Sequence, residues 1–341
     1  MTHQAVFIDP SSDHFLQDRL FDIDDHDLNR DGTLLPFIRL KEHLAAQGVP
    51  AFTADKLRNG AERRTVNHYW SLGITDHYRK LAAERDVRLR GFLLMEPPLV
   101  RPDLYASLPE ITAAFDAVYV HNTVGDGYSL DNVMRHKLRP LFWPQPYDDV
   151  LATYWDNTQR HNKLVVIAGN HNPGLRKPEL YSERIKAVAE LSDHQGIDLF
   201  GRGWERWWSR QSLWWPYWRY RRQIMGNYHG ACVSKWTVLS AYRFCLCYEN
   251  MPMTGYVTEK LFDCLYAGTV PVYWGAPNIA SIMPSSAYVD MRRFKTRPEM
   301  LDYIQSMSES EWQGMRDAGR QFILTRGAEL YYNSLIRSIS I

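Results

Sequence analysis

The stretch from Tyr242 to Gly275 constrains the fold more than any other part of the chain. An apolar run, RFCLCY, shows almost no polar alternation; a turn-rich connection follows, then a segment with Leu261, Cys264 and Leu265 on one helical stripe. Gly268 ends that segment, and a second apolar run, TVPVYW, comes next. Strands that are apolar at successive positions are covered on both faces, as in parallel sheets. A helix joining two such strands is a βαβ crossover. The spacing places Thr258 at the helix N-cap and Gly268 at its end.

The same alternation runs through the rest of the chain. In the first half, strands are predicted at 5–9, 49–54, 87–95 and 115–120, with helical stretches near 36–47, 75–84 and 103–114. In the second half, strands are predicted at 163–169, 196–201, 243–250 and 285–291, with a helix over 178–192. At 341 residues the chain suits two domains. The expected architecture is α/β: two Rossmann-like domains facing across a cleft, 1–150 and 151–325, with a tail over 326–341. Open α/β sheets bind ligands at the carboxyl ends of their strands.

Charge excludes one class of partner. A formal net charge of +1 provides no overall field for a polyanion, so no nucleic-acid partner is expected. The four cysteines lack the paired spacing of a zinc site or disulfide framework and read as small buried hydrophobes. The N-terminal residues show no basic region followed by an apolar core, and no stretch approaches the ~18 apolar residues of a membrane span. A cytoplasmic protein is the expectation. An acidic run, DIDDHDLNRDG (22–32), opens like a calcium loop, but its twelfth position is Ile38 where a bidentate Glu is needed. It reads as a solvated acidic loop.

Glu259 and Lys260 fall in the first helical turn, where backbone N–H groups and the helix dipole favour an anion. Neighbours on a helix point about 100° apart, so the two side chains are predicted not to pair with each other. A nucleoside diphosphate satisfies both, with ribose hydroxyls for the carboxylate and phosphate oxygens for the ammonium. The alternative is a solvated first turn whose Glu serves only the dipole.

The run from Tyr242 to Ile279, YRFCLCYENMPMTGYVTEKLFDCLYAGTVPVYWGAPNI, resembles the signature of the α-1,3-fucosyltransferases, glycosyltransferase family 10. Tyr248 stands where the family usually has Phe, while Glu249, Asn250, Tyr256, Thr258, Glu259 and Lys260 keep the family's spacing. Weaker similarity extends through 165–185 and 198–204. The resemblance implies a GT-B enzyme whose C-terminal domain holds GDP-fucose. It implies that Lys260 and Arg176 bind the diphosphate, Glu259 the ribose, and Tyr256 and Asn250 the donor phosphate or fucose. Asn170 belongs to the donor loop and Glu249 braces the site. A guanidinium at 176 also suits phosphate by its fork geometry.

The implied reaction is an inverting transfer of L-fucose from GDP-β-L-fucose to a hydroxyl of a glycan acceptor, typically an α-1,3 linkage to GlcNAc or Glc. It needs charge stabilisation of the departing GDP and a general base for the acceptor hydroxyl. Glu96, at the end of an apolar strand and followed by Pro97 and Pro98, is the candidate base, with His121, Asp126 and Asp148 in reserve. No cofactor or metal is required on this reading, although a non-essential divalent ion stays open. Two alternatives remain: a GT-B transferase using another GDP-sugar, and a non-catalytic glycan- or membrane-binding protein.

The segment Arg202–Arg222 holds six of the chain's twelve tryptophans and six arginines. No single helical period explains them, and Pro216 is predicted to break the segment. Packing of rings under arginines, an acceptor or oligomer contact, and peripheral docking on a membrane are all consistent with it. In the last case the glycan acceptor is lipid-linked.

Overall fold

The computed structural model describes residues 3–173, 178–205 and 215–339, which divide into two compact units, 3–146 with 329–339 and 147–328. In the first unit the strands are β1 (Gln4–Asp9), β2 (Ala51–Thr53), β3 (Val66–Ser71), β4 (Val87–Leu93), β5 (Ala117–Val120) and β6 (Leu138–Pro140). The helices between them are α1 (Leu35–Ala46), α2 (Ala54–Arg58), α3 (Asp76–Leu81), α4 (Pro102–Ala106) and α5 (Leu108–Ala114). All pairings are parallel, in the order β2-β1-β3-β4-β5-β6.

Successive residues of each inner strand feed opposite faces, as the period-2 geometry of a strand requires. Ala5, Phe7, Tyr69 and Phe92 pack on one side; Val6, Ile8, Trp70 and Leu93 pack on the other. Both faces are buried, which explains the unbroken apolar runs. The residues expected as a C-terminal tail contribute to this unit: α14 (Ser334–Ser338) brings Leu335 to the second face, joined by Ile339.

The sequence reading missed β3. Its run, VNHYWS, has Asn67 and His68 directly after Val66, which hide the apolar signal. Asn67 is fully buried because its side chain is satisfied locally: it accepts from the Arg64 N–H at 2.8 Å and donates to the Arg64 carbonyl at 2.9 Å. A polar residue so partnered costs little inside a central strand.

The second unit contains α6 (Ala152–Trp155), β7 (His161–Ile167), α7 (Tyr181–Ser192), β8 (Ile197–Phe200), α8 (Trp215–Gly226), α9 (Lys235–Leu239), β9 (Tyr242–Tyr248) and α10 (Glu259–Tyr266). It continues with β10 (Val270–Trp274), α11 (Ile279–Ile282), β11 (Val289–Asp290), α12 (Arg297–Ser306) and α13 (Glu309–Phe322). Its parallel sheet runs β11-β10-β9-β7-β8. The chain moves outward from β7 to β8, then restarts on the other side with β9. The carboxyl ends of β7 and β9 therefore flank a topological switch point, where open α/β sheets bind ligands.

The cysteines are free thiols, with Cys245, Cys247 and Cys264 buried. Among the described residues, no helix is long and apolar enough to cross a membrane. Residues 206–214 of the tryptophan-rich segment lie outside the described residues. Pro216 lies at the described start of α8, and the break predicted there falls against residues outside the described ones.

Candidate functional site

The switch point of the second unit gathers most of the residues singled out in the sequence. Asn170 lies three residues beyond β7, Glu249 and Asn250 directly follow β9, and Glu259 and Lys260 open α10. Arg176 lies outside the described residues.

Glu249 is the centre of the arrangement and is completely buried. Its Oε1 accepts from the Thr258 N–H at 2.9 Å, and its Oε2 accepts from the Thr258 hydroxyl at 2.8 Å and from Lys260 Nζ at 3.3 Å. Thr258 holds the predicted N-cap position with extended backbone, but its hydroxyl makes no capping bond within the helix. That oxygen donates to Glu249 and accepts from Lys260 Nζ at 2.9 Å. The carboxylate thus ties the start of α10 to the end of β9. Room for it depends on Gly275, where a Cβ would stand 2.5 Å from Glu249 Cγ.

Glu259 and Lys260 do pair, contrary to the prediction from helical angles: Nζ lies 3.5 Å from Glu259 Oε1. The four-carbon lysine stem turns back toward the helix start, where Glu249 and Thr258 hold the ammonium, and the Glu259 carboxylate lies within reach. Angular separation governs short side chains and not one this long. About a quarter of the Lys260 side chain stays exposed. Burial alone would depress the Lys260 ammonium, but Glu259 and Glu249 outweigh it and hold it above the ordinary lysine value. Burial likewise pushes Glu259 up, and the Lys260 and Lys235 charges overcome it, leaving the carboxyl below its usual range.

Asn250 and Tyr256 meet, with Asn250 Nδ2 donating to the Tyr256 hydroxyl at 3.3 Å. Tyr256 is itself buried. Asn170 is buried too; its N–H donates to the Arg202 carbonyl at 3.0 Å and its Nδ2 to that of Gly203 at 3.3 Å, fixing the loop after β8 against the end of β7. Gly201 permits that approach. Its φ is +138°, and a Cβ there would fall 1.9 Å from the Ala168 carbonyl oxygen.

Sequence reasoning missed Arg184. On α7 it is buried and donates from one nitrogen to the Tyr248 carbonyl at 2.5 Å, the Glu249 carbonyl at 2.7 Å and Asn250 Oδ1 at 3.2 Å. Its guanidinium also lies over the Tyr181 ring at 4.9 Å. A signal existed: Arg184 shares the buried stripe of α7 with Val188 and Leu191, an unusual place for an unpaired-looking cation. Burial, then the Arg184 charge, pushes the nearby His171 imidazole below its ordinary value. Two cations, Arg184 and Lys260, therefore reach the carboxyl end of β9 beside a helix N-terminus, where Lys260 also pairs with the Glu249 and Glu259 carboxylates. This suits an anion that brings hydrogen-bond acceptors.

In the first unit, Glu96 lies three residues past β4 and is half-buried. Its carbonyl accepts from the Tyr105 hydroxyl at 3.2 Å, and its side chain borders a pocket with Arg101, Met95 and Trp143. His121, just past β5, is buried and stacks on Trp143 with an interplanar angle of 10°. Burial pushes its imidazole down to about 4, so the ring is neutral at ordinary pH and its Nε2–H donates to the Met95 carbonyl at 2.7 Å. Asp126 and Asp148 lie in loops, Asp126 in the first unit and Asp148 in the second.

Residues 160–316 match the family model for the C-terminal domain of glycosyltransferase family 10 (fucosyltransferase). The alpha-(1,3)-fucosyltransferase FucT of Helicobacter pylori is 44% identical over 66 residues, covering 19% of this chain and 14% of that protein. The alpha-(1,4)-fucosyltransferase of Arabidopsis thaliana is 35% identical over 86 residues, covering 24% of this chain and 21% of that protein. The matched region thus spans about a fifth or less of these relatives' length. Among solved structures, an alpha1,3-fucosyltransferase superposes with a TM-score of 0.50 at 16% identity, covering 99% of this chain and 92% of that one. That likeness is one of fold, and the fold is GT-B, built from two parallel-sheet α/β domains. The region around the β7–β9 switch point, residues 160–316, is a glycosyltransferase family 10 (fucosyltransferase) C-terminal domain.

Proposed function

We propose that the chain transfers L-fucose from GDP-β-L-fucose to a hydroxyl of a glycan acceptor, with inversion at the anomeric carbon and an α-1,3 linkage to GlcNAc or Glc. The observation that carries this reading is the Glu249–Thr258–Lys260 arrangement at the start of α10, inside the matched domain. It holds an ammonium and a helix N-terminus ready for a diphosphate before any ligand arrives. Preorganised charge of this kind stabilises a departing phosphate at no cost in reorganisation.

In this reading Lys260 and Arg176 bind the diphosphate, and Glu259 accepts from the ribose hydroxyls. Asn250 and Tyr256 touch the donor phosphate or fucose, and Asn170 shapes the donor loop. Glu249 and Arg184 act through their neighbours as positioning residues. Glu96 takes the proton of the acceptor hydroxyl as the new C–O bond forms and the bond to GDP breaks. Charge on the leaving group is met by protein cations, so no metal or cofactor is required.

Calorimetric titration with GDP-fucose, GDP-mannose, UDP-galactose and GDP, each with and without EDTA, tests the reading. GDP and GDP-fucose are expected to bind equally well in EDTA, and UDP-galactose not to bind. Preference for GDP-mannose would move the assignment to another GDP-sugar. Absence of nucleotide binding by folded protein would remove the transferase reading.

The setting proposed is cytoplasmic, at a membrane surface. On α8, Tyr217 and Ile224 face the core, while Trp215 is 73% exposed and Trp218 37% exposed. Arg219 and Arg222 lie on the same outward face at helical spacing and are exposed as well. Indole rings beside guanidinium groups match an anionic lipid interface, and a lipid-linked acceptor would meet the enzyme there. The protein is expected to float with phosphatidylglycerol-containing vesicles, and the Trp215→Ala, Trp218→Ala double variant to remain in solution. Failure of the parent protein to float with either anionic or neutral vesicles would dispose of the membrane contact.

A further inference from the structure

The first unit has its own switch point. The chain steps outward from β1 to β2 and restarts with β3 on the other side, so the carboxyl ends of β1 and β3 flank a crevice. A pocket of ≈ 210 Å³ opens there, bordered by Pro10 and Ser11 after β1, Leu72 and Gly73 after β3, and Met95 and Glu96 after β4. Its walls are apolar: Phe15, Leu20, Leu34, Phe37, Leu104 and Trp143 contribute side chains. Polar groups are few, namely Ser11, Thr33, Glu96 and Arg101. Arg101 is held by Asp103 at 2.7 Å.

Such walls do not suit a sugar ring. Each hydroxyl buried against Phe37 or Leu34 would lose its water partners without replacement, at roughly 1–3 kcal/mol on protein scales. The volume is also below the ~300–1,000 Å³ of pockets that enclose a whole ligand. An apolar substituent fits on both counts. Glu96, at the edge of the same pocket, supplies the point at which a sugar hydroxyl can be met.

We infer that this pocket is a specificity site for the apolar part of an amphiphilic acceptor: a glycoside carrying an alkyl, acyl or aryl group, whose apolar end enters between Phe37, Leu72 and Trp143 while its sugar lies at Glu96. The inference rests on the assignment of Glu96 to the acceptor site. It adds the chemical class of acceptor, which neither the family match nor the donor site addresses.

Octyl β-D-glucoside below its micelle concentration, methyl β-D-glucoside and 1-octanol are the probes, each titrated calorimetrically into the full chain. Each buried methylene contributes about fourfold to affinity, so three or more give a preference of roughly 60-fold for the octyl over the methyl glycoside. At least a tenfold preference is expected. Octanol is expected to bind more weakly than octyl glucoside, because it lacks the sugar. Ser11→Trp, and separately Thr33→Trp, place a ring at the pocket from exposed positions and are expected to cut the preference below threefold. Equal affinity for the octyl and methyl glycosides overturns the inference, as does a preference that survives both tryptophans. Octanol binding as tightly as octyl glucoside also overturns it, since the occupant would then be a free apolar molecule. GDP-fucose titrated into the same samples separates the two readings. Donor binding without octyl preference defeats only this inference, and octyl preference without donor binding defeats the transferase reading and leaves the pocket as a binding site for amphiphilic glycosides.

Discussion

Lys260→Ala is expected to weaken GDP and GDP-fucose binding by about 10–100-fold, the range for losing a charged hydrogen bond of ~1.5–3 kcal/mol. The reasoning starts from the buried Glu249 carboxylate, which holds the ammonium in place through Thr258 and by direct contact. Because Lys260 is positioned without ligand, its contribution to binding is not spent on ordering a long side chain. A second effect follows from the same geometry. Removing Lys260 leaves Glu249 buried without its counter-charge, so the variant should also lose about 1–3 kcal/mol of stability. Urea denaturation separates the two effects, with affinity measured where the variant is fully folded. If the lysine only supports the helix start, stability falls while GDP affinity stays within twofold, and the diphosphate role is lost.

The pH dependence has a definite sign. The folded Lys260 ammonium is held above the ordinary lysine value near ~10.4, burial notwithstanding, by Glu259 and Glu249. A raised basic group contributes stability that is complete below its unfolded value and is lost as pH rises through the folded one. Its titration therefore leaves GDP affinity flat between about pH 6 and 9.

The sheet order around β9 and β10 was readable because strands buried on both faces leave unbroken apolar runs, and because Gly268, with φ +70°, marks the helix end. β3 was hidden by Asn67 and His68; the burial of Asn67 is made tolerable by the Arg64 backbone, a partner that composition does not reveal. The donor site divides in the same way. Glu259 and Lys260 were visible from their place in a first helical turn, but their contact was not: helical angles describe where a Cβ points and say little about where three further carbons carry an ammonium. Arg184 escaped because its partners are the carbonyls of Tyr248 and Glu249, and backbone acceptors leave no mark in sequence. The apolar pocket of the first unit joins loops after three different strands, a proximity made by topology alone.

Glu96→Gln is expected to lower kcat by about 10²–10⁴-fold, the usual contribution of a positioned general base, while GDP-fucose affinity stays unchanged. The amide keeps the shape of the carboxylate, so the pocket walls and the Tyr105 bond to the residue 96 carbonyl should both survive. Only the ability to take a proton is removed. Initial rates of transfer, calorimetric donor binding and thermal melting on one preparation distinguish the outcomes. Lost transfer with normal donor affinity and melting fits the base. Lost transfer together with a lower melting temperature points to a structural role at the end of β4. Full activity excludes Glu96 and returns the search to His121, Asp126 and Asp148. His121 then faces a demand that its surroundings oppose: as a base it must become an imidazolium where burial holds its ring neutral down to about pH 4. A carboxylate meets no such demand: on taking a proton the half-buried Glu96, at the edge of the apolar pocket, becomes neutral and not cationic.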